Sequence, residues 1–369
     1  MKTKFGIISL GCPKNLVDSE TFCDIAIRHG YELSDDFDGL DFMLVNTCSF
    51  IHDAIVEMRR VLDSCLELKK GNKIKRIYVT GCIMKRFLKR MQSIYTEIDA
   101  WIEIKDYAAF EKLLSVTRLS SYQRYHLADG PYSYLKISDG CNNRCSYCTI
   151  PSIRGKLKSS SMEDLIREAT YLANTGAREL IVIAQDTTAY GKDLYERRML
   201  SELLKRLHDV PGFHWIRLMY LHPGHVDKKL VKTIAGLPKV VHAFEMPLQH
   251  SNDRILADMN RNYTKADIIS VYNMFKAEMP DSVFRTTFIT GFPGESRKDF
   301  NELMQFIQDY PFLRMGAFAY SREPQTPAFD FSGQVTERAA VKRKMNFSIC
   351  TESYRSNIFL NMLGKSWKF

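Results

Sequence analysis

The first hundred residues alternate between short apolar runs and amphipathic stretches. Lys4 to Leu10 is apolar and β-type, and Asn15 to about Arg28 spaces its apolar residues at helical intervals until Gly30. Phe42 to Thr47 predicts a second strand, Ala54 to Lys69 a helix stopped near Gly71, and Arg76 to Thr80 a third strand leading into a helix from Met84 to Met91. This β-α-β-α-β order predicts a parallel sheet. A polar stretch from Arg118 to Gly130, closed by Pro131, marks a linker over 119–130. Beyond it lie six strand-like runs: Tyr132 to Ile137, Leu180 to Gln185, Ile216 to Leu221, His242 to Leu248, Val283 to Thr290 and Arg314 to Tyr320. Helices between them start near Met162, Leu200, Val226, Thr264 and Lys298, and a last one runs from about Glu337 to Leu363. The expected fold class is α/β. A parallel α/β domain over 1–118 precedes an open six-stranded (βα) partial barrel over 131–369.

Composition adds a soluble, globular character: 45% of the 369 residues are hydrophobic and 26% charged. That balance excludes a disordered or collagen-like chain, and no run is long enough to span a membrane. The net charge of +9 suits an acidic partner such as nucleic acid or a ribosome without requiring one. The apolar run from Phe5 to Leu10 is too short for a signal-peptide core, so Ser9-Leu10-Gly11-Cys12 is not read as a lipidation site. A cytoplasmic protein with reduced thiols is expected. Its nine cysteines are then ligands, nucleophiles or core residues rather than disulfides.

Cys12, Cys48 and Cys82 each fall one or two residues past the expected end of an N-terminal strand. In a parallel sheet those ends share one edge, the edge where open α/β sheets place their ligands. A zinc site needs a fourth ligand, and only His52 lies near in sequence. Three thiolates better suit an iron-sulfur cluster with one iron left open. A second trio, Cys141, Cys145 and Cys148, follows the first strand of the barrel-like half at spacings i, i+4 and i+7. No further cysteine or histidine pair follows to complete a structural zinc site. Cys23, Cys65 and Cys350 lie inside helical stretches and are read as packing residues.

Cys-x-x-x-Cys-x-x-Cys with Tyr147 before the last cysteine, placed after the first strand of a partial barrel, resembles the signature of the radical S-adenosylmethionine (SAM) enzymes. Both cysteine sets in this order, over Phe5 to about Lys365, resemble the methylthiotransferases. Gly11-Cys12-Pro13-Lys14-Asn15-Leu16-Val17-Asp18-Ser19-Glu20 and Gln185-Asp186-Thr187-Thr188-Ala189-Tyr190-Gly191 look like the RimO branch, which modifies an aspartate of ribosomal small-subunit protein twelve. The resemblance implies two 4Fe-4S clusters. Cys141, Cys145 and Cys148 would hold the SAM-cleaving one, and Cys12, Cys48 and Cys82 an auxiliary one carrying the sulfur to be inserted. One SAM would supply the methyl group, and a second the radical that takes hydrogen from the aspartate β-carbon. That C–H bond is too weakly acidic for a side-chain base, so no protein residue is assigned as a catalytic acid or base.

Barrel strand ends collect binding residues, which makes Gln185, Asp186, Glu245, Gln249, Thr287 and Phe292, the last within Gly291 to Glu295, candidates for the SAM pocket. Tyr147 joins them by resemblance. His222, His225, His250 and Tyr320-Ser321-Arg322 are candidates for the cavity mouth or for the core. Two basic helical stretches, Lys85, Arg86, Lys89 and Arg90 in one and Lys342, Arg343 and Lys344 in the other, read as solvated faces or as contacts with ribosomal RNA. The resemblance also implies an electron donor, a sulfur source and no membrane partner. Family members continue past the position of Gly364-Lys365 into a small β domain, TRAM, that is not among these 369 residues. The nearest rival is a tRNA methylthiotransferase acting on a modified adenosine. A fully ligated electron or sulfur carrier, or a zinc-dependent RNA-binding protein, fits the two cysteine trios less well.

Overall fold

The computed structural model describes residues 3–117, 119, 123–310 and 312–363, with side chains described up to 351. The chain forms two compact units, Met1–Lys136 with Thr149–Lys156, and Ile137–Cys148 with Leu157–Phe369. Of the linker expected over 119–130, residues 120–122 lie outside the described residues.

The first unit contains β1 (Lys4–Ser9), α1 (Pro13–Arg28), β2 (Glu32–Leu33), β3 (Phe42–Thr47), α2 (His52–Lys70), β4 (Ile77–Gly81), α3 (Ile83–Arg86), α4 (Leu88–Ile94), β5 (Ala100–Trp101), α5 (Tyr107–Leu113), β6 (Tyr132–Lys136) and α6 (Ile150–Arg154). Five strands make a parallel sheet in the order β2-β1-β3-β4-β5. All of β3 is buried because successive side chains serve two cores. Met43 and Val45 join Met58 and Leu62 of α2, while Phe42 and Leu44 join Phe22 and Ile25 of α1 and Phe110 of α5. Each such burial is worth about 1.5–3 kcal/mol. The two-residue strands β2 and β5 are too short to carry a periodic signal, and the sequence pattern misses them. The helix expected over Met84 to Met91 is broken at Phe87, whose φ of −136° leaves the helical region. Arg86 just before it is buried on Ser49 O (2.6 Å) with its guanidinium over the Phe87 ring, and this anchor turns the chain.

The second unit contains β7 (Ser138–Asp139), β8 (Lys158–Ser159), α7 (Met162–Asn174), β9 (Glu179–Ile183), α8 (Leu200–Asp209), β10 (Trp215–Leu218), α9 (Lys228–Ala235), β11 (Ala243–Glu245), α10 (Asp253–Asp258), α11 (Lys265–Glu278), β12 (Val283–Thr290), α12 (Arg297–Asp309), β13 (Arg314–Ala319) and α13 (Glu337–Leu363). β9 pairs with β10, and β11, β12 and β13 pair in order, all parallel. Val241 N to Ile216 O (3.0 Å) and Leu221 N to Glu245 O (2.9 Å) join β10 to β11. Ile137, directly after β6, donates to Ile183 O, so the chain enters this sheet beside β9. Helices alternate with these strands as a partial barrel requires. Thr264 with Asp267 and Ser296 with Asp299 form capping boxes that start α11 and α12 where the sequence places them.

Candidate functional site

Cys12, Cys48 and Cys82 converge at the C-terminal edge of the first sheet. Leu10 and Gly11 continue from β1 beside β3 until a Cβ on Gly11 would lie 2.7 Å from Cys48 Cβ, and Gly11 has a φ of +90°. Only glycine allows that approach. Pro13 opens α1 immediately after Cys12, and Asn15 one turn into it donates Nδ2 to both Leu10 O and Thr47 O at 2.9 Å, tying two strand ends together. Asn15 Oδ1 lies 3.7 Å from Cys82 Sγ. Arg154 donates to the same amide oxygen, to Asp18 (2.7 Å), and reaches Cys82 Sγ at 3.9 Å. Asp18 also pairs with Lys136. The Cys48 thiol hydrogen-bonds to Cys82, and that bond with the neighbouring Arg154 charge holds Cys82 below the ordinary thiol range. The same bond, together with burial, pushes Cys48 up.

The second trio sits on a single loop. Residues of the second unit fix it: Asn143 N donates to Cys141 Sγ (3.4 Å), Ser146 N to Met259 O (3.0 Å), Ser146 Oγ to Asp258 O (2.7 Å), and Asn260 Nδ2 to Arg144 O (2.6 Å). The C-terminal end of α10 thus clamps the loop. Arg261 NH1 donates to Cys145 Sγ at 3.5 Å. Burial pushes the Cys141 thiol up to about 11. Each trio presents three thiols outside any disulfide with N–H donors near sulfur, a donor set that suits an iron-sulfur cluster.

The SAM-pocket candidates divide into three groups. Gln185 donates to Asp139 Oδ1 (3.1 Å), and its Oε1 is buried without a hydrogen bond. Asp186 is buried and accepts from Asn143 Nδ2, His225 Nδ1, Thr188 Oγ1 and Ala189 N. Asp186, His222 and His225 form the one trio among the described residues with ligand atoms all within 4.8 Å. Those four bonds use both carboxylate oxygens, so Asp186 serves as a hub orienting Asn143 rather than as a cation ligand. Although burial disfavours its charge, the His225 hydrogen bond and the two imidazoles hold its carboxyl below the ordinary range. Gln249, at φ +68°, bonds through its backbone to Thr287 O and Ile289 N, which places it beside the half-buried Thr287. Glu245 closes β11, half-buried. Phe292 is fully buried with Ile255, Met259 and Ala328, and Tyr147 packs against that cluster. Glu295 accepts from Gly291 N and Phe292 N and pairs with Arg343 at 2.8 Å, so the Gly291 to Glu295 segment is a braced turn.

The model of the radical SAM superfamily matches residues 135–307, and that of the uncharacterized protein family UPF0004 matches residues 4–103. The ribosomal protein uS12 methylthiotransferase RimO of Clostridioides difficile is 39% identical over 99% of this chain and 86% of its own length. The chain belongs to the RimO family. The RimO of Dictyoglomus thermophilum is 38% identical over 99% of this chain and 90% of that protein. Among solved structures, the radical SAM methyltransferase TsrM of Kitasatospora setae, with cobalamin and a [4Fe-4S] cluster, matches at a TM-score of 0.63 and 12% identity over 89% of this chain and 77% of that one. The cobalamin-dependent radical SAM enzyme OxsB matches at 0.59 and 9% identity over 95% and 56%. These two likenesses establish the fold, a radical SAM α/β architecture. Membership of the radical SAM superfamily implies a 4Fe-4S cluster and SAM.

Two sequence expectations about this RimO-family chain need correction. Each basic stretch holds one arginine that is not solvated: Arg86 is buried on the loop after Cys48, and Arg343 is half-buried on Glu295, while Lys85, Lys89, Arg90, Lys342 and Lys344 are exposed. Cys23 and Cys65 are core residues, and burial pushes the Cys65 thiol up to about 11, but Cys350 on α13 is only half-buried. Of the mouth candidates, His222 and His250 are buried, and His222 stacks on His225 at 4.3 Å. The Tyr320 ring packs edge-on to Phe292. Arg154, at the end of the short helix α6, and Arg261, in a loop, are site residues that the sequence does not single out, because a lone arginine carries no spacing signal. Among the described residues no helix is long and apolar enough to cross a membrane.

Proposed function

We propose that this chain inserts a methylthio group at the β-carbon of an aspartate in ribosomal protein uS12. Cys141, Cys145 and Cys148 hold the SAM-cleaving cluster in this reading, and Cys12, Cys48 and Cys82 the auxiliary one. The observation that carries it is the pairing of two three-thiol sites within a chain 39% identical to a uS12 methylthiotransferase. Three protein thiols leave one iron open for a ligand that is not protein. When bound, the clusters and SAM supply radical C–H activation, sulfur and a methyl group.

The chain's own residues bind and orient. Asn15 and Arg154 fix the first trio, while Asp186 through Asn143 and Arg261 fix the second. Tyr147, Gln185, Asp186, Glu245, Gln249, Thr287 and Phe292 form or brace the SAM pocket. Of these, Gln185 offers a buried carbonyl oxygen still open to a donor on SAM, and Phe292 contributes by packing. The 131–369 region acts as the SAM domain and 1–118 as the auxiliary-cluster domain. An electron donor and a sulfur source complete the reaction in the cytoplasm.

Mass spectrometry tests this after anaerobic incubation of reconstituted protein with SAM, dithionite, sulfide and either uS12 or tRNA. A gain equal to SCH3 replacing H on a uS12 aspartate is expected. The same gain on tRNA adenosine alone would move the chain to the tRNA-modifying branch.

A further inference from the structure

Arg261 lies three residues past the end of the helix that clamps the second cysteine loop, and its three guanidinium hydrogen bonds are with neutral protein groups or sulfur. Nε donates to Tyr263 Oη at 2.8 Å, NH2 to Pro247 O at 3.1 Å and NH1 to Cys145 Sγ at 3.5 Å. Tyr263 Oη passes the chain on to Leu248 O at 2.8 Å, and the guanidinium lies 4.9 Å from the Tyr263 ring centre. The group is therefore held from three sides, with one face turned to the thiol. Arginine stays protonated in proteins, and this half-buried charge is only partly relieved by water, so a nearby counter-charge still stabilises it. Among the described residues no carboxylate lies within ion-pair distance of this guanidinium. Arg154 at the first trio differs, because Asp18 sits 2.7 Å from it at a site where both side chains are almost fully buried.

We infer that Arg261 is a tuning residue for the cluster held by Cys141, Cys145 and Cys148: its guanidinium hydrogen-bonds the Cys145 sulfur and supplies the positive charge that favours the reduced cluster. This rests on the proposed ligand set. Three thiolates around a four-iron core leave a net negative charge that grows by one on reduction, so a fixed cation nearby stabilises the reduced form more than the oxidised one. Hydrogen bonds to cluster sulfur act in the same direction. Tyr263 and Pro247 do not alter the charge; they keep the guanidinium aimed at sulfur.

The test is a redox titration followed by electron paramagnetic resonance on the full chain carrying Cys12→Ala, which takes one thiol from the other trio. On that background Arg261→Met is expected to lower the one-electron reduction equilibrium by about tenfold or more, which corresponds to about 59 mV. Arg261→Lys, which keeps the charge but loses the fork, should fall between the two. A midpoint unchanged in Arg261→Met overturns the inference. If Arg261→Met takes up no iron, the Cys12→Ala protein with Arg261 intact, labelled with 15N-arginine, decides the matter, because it lacks the cluster that Arg154 reaches. A 15N coupling to the reduced cluster in pulsed resonance supports the contact, and its absence overturns it. A Cys12→Ala protein that binds no iron at all, while remaining folded, removes the ligand assignment under the proposed function and this inference with it.

Discussion

The two thiol sites of this chain are built on opposite plans. The first gathers one cysteine from beyond each of three strands, separated by 36 and 34 residues in sequence, so it exists only once the sheet is assembled. The second puts three cysteines on eight consecutive residues, a loop held by the end of α10 and by Asp186 through Asn143. Their electrostatics differ as well. Arg154 reaches Cys82 while paired with Asp18, whereas Arg261 reaches Cys145 with neutral partners elsewhere. A site assembled by tertiary structure is thus exposed to every fault in that structure. A site on a contiguous loop is exposed mainly to faults in its clamp.

The sharpest way to break this contrast is to remove one thiol from each trio. Cys141→Ala is expected to abolish SAM cleavage while iron remains bound in the first unit. Cys48→Ala should retain cleavage to 5′-deoxyadenosine and lose methylthio insertion. Iron content and product analysis on the reconstituted variants distinguish them, and a wild type with iron for only one cluster would defeat the two-site reading.

Backbone substitution comes next in size. Gly81, at φ +100°, closes β4 just before Cys82, and a Cβ there would collide with Thr47 O and lie 2.5 Å from Asn46 Oδ1. Gly81→Ala should cost about 3 kcal/mol of stability in urea unfolding. It should also empty the first site of iron while SAM cleavage in the surviving folded fraction persists.

Acid should act on the other region. Among the described residues the buried histidines, His222 and His250, both belong to the second unit. Burial, with Arg254 and Arg343 nearby and Asp299 opposing them, holds His250 down at about 4. An unfolded histidine titrates near about 6.5. The stabilisation is therefore complete above that value and is lost as pH falls toward 4, at up to about 1.4 kcal/mol per pH unit. His250→Asn should flatten unfolding free energy between pH 6.5 and 4, and an unchanged slope would assign the acid sensitivity elsewhere. The smallest effect belongs to Lys85→Ala. Its pair with Glu103 is exposed on both sides, so a loss of less than about 0.5 kcal/mol is expected, against a far larger loss for the buried neighbour Arg86→Ala.

Much of this arrangement was readable from residue order. β3 and β12 begin and end where the apolar runs do, and the capping residues Thr264 and Ser296 mark the starts of α11 and α12. The cysteines could be grouped because strand ends in a parallel sheet fall on one edge, and because loop spacing is itself geometry. The sequence hid contacts made by polar residues turned inward. On α1, Asn15, Asp18, Ser19 and Glu20 are buried, although a helical pattern would put such residues in water. Their partners, Asn46, Arg124, Lys136 and Arg154, lie from 27 to 139 residues away. No local period reports a hydrogen bond over such separations. Arg86 and Arg343 were misread for the same reason, since neighbouring lysines on the same helices do face solvent.

The segment Thr149–Lys156 belongs to the first unit although the chain on either side of it belongs to the second. The peptide bond after Cys148 therefore leads from the last thiol of one site straight to the stretch that delivers Arg154 to the other. No single cut yields two intact halves. A crossover that exchanges everything after Lys136 would also replace Arg154, the arginine that reaches the first trio, so one exchange point cannot separate the two sites.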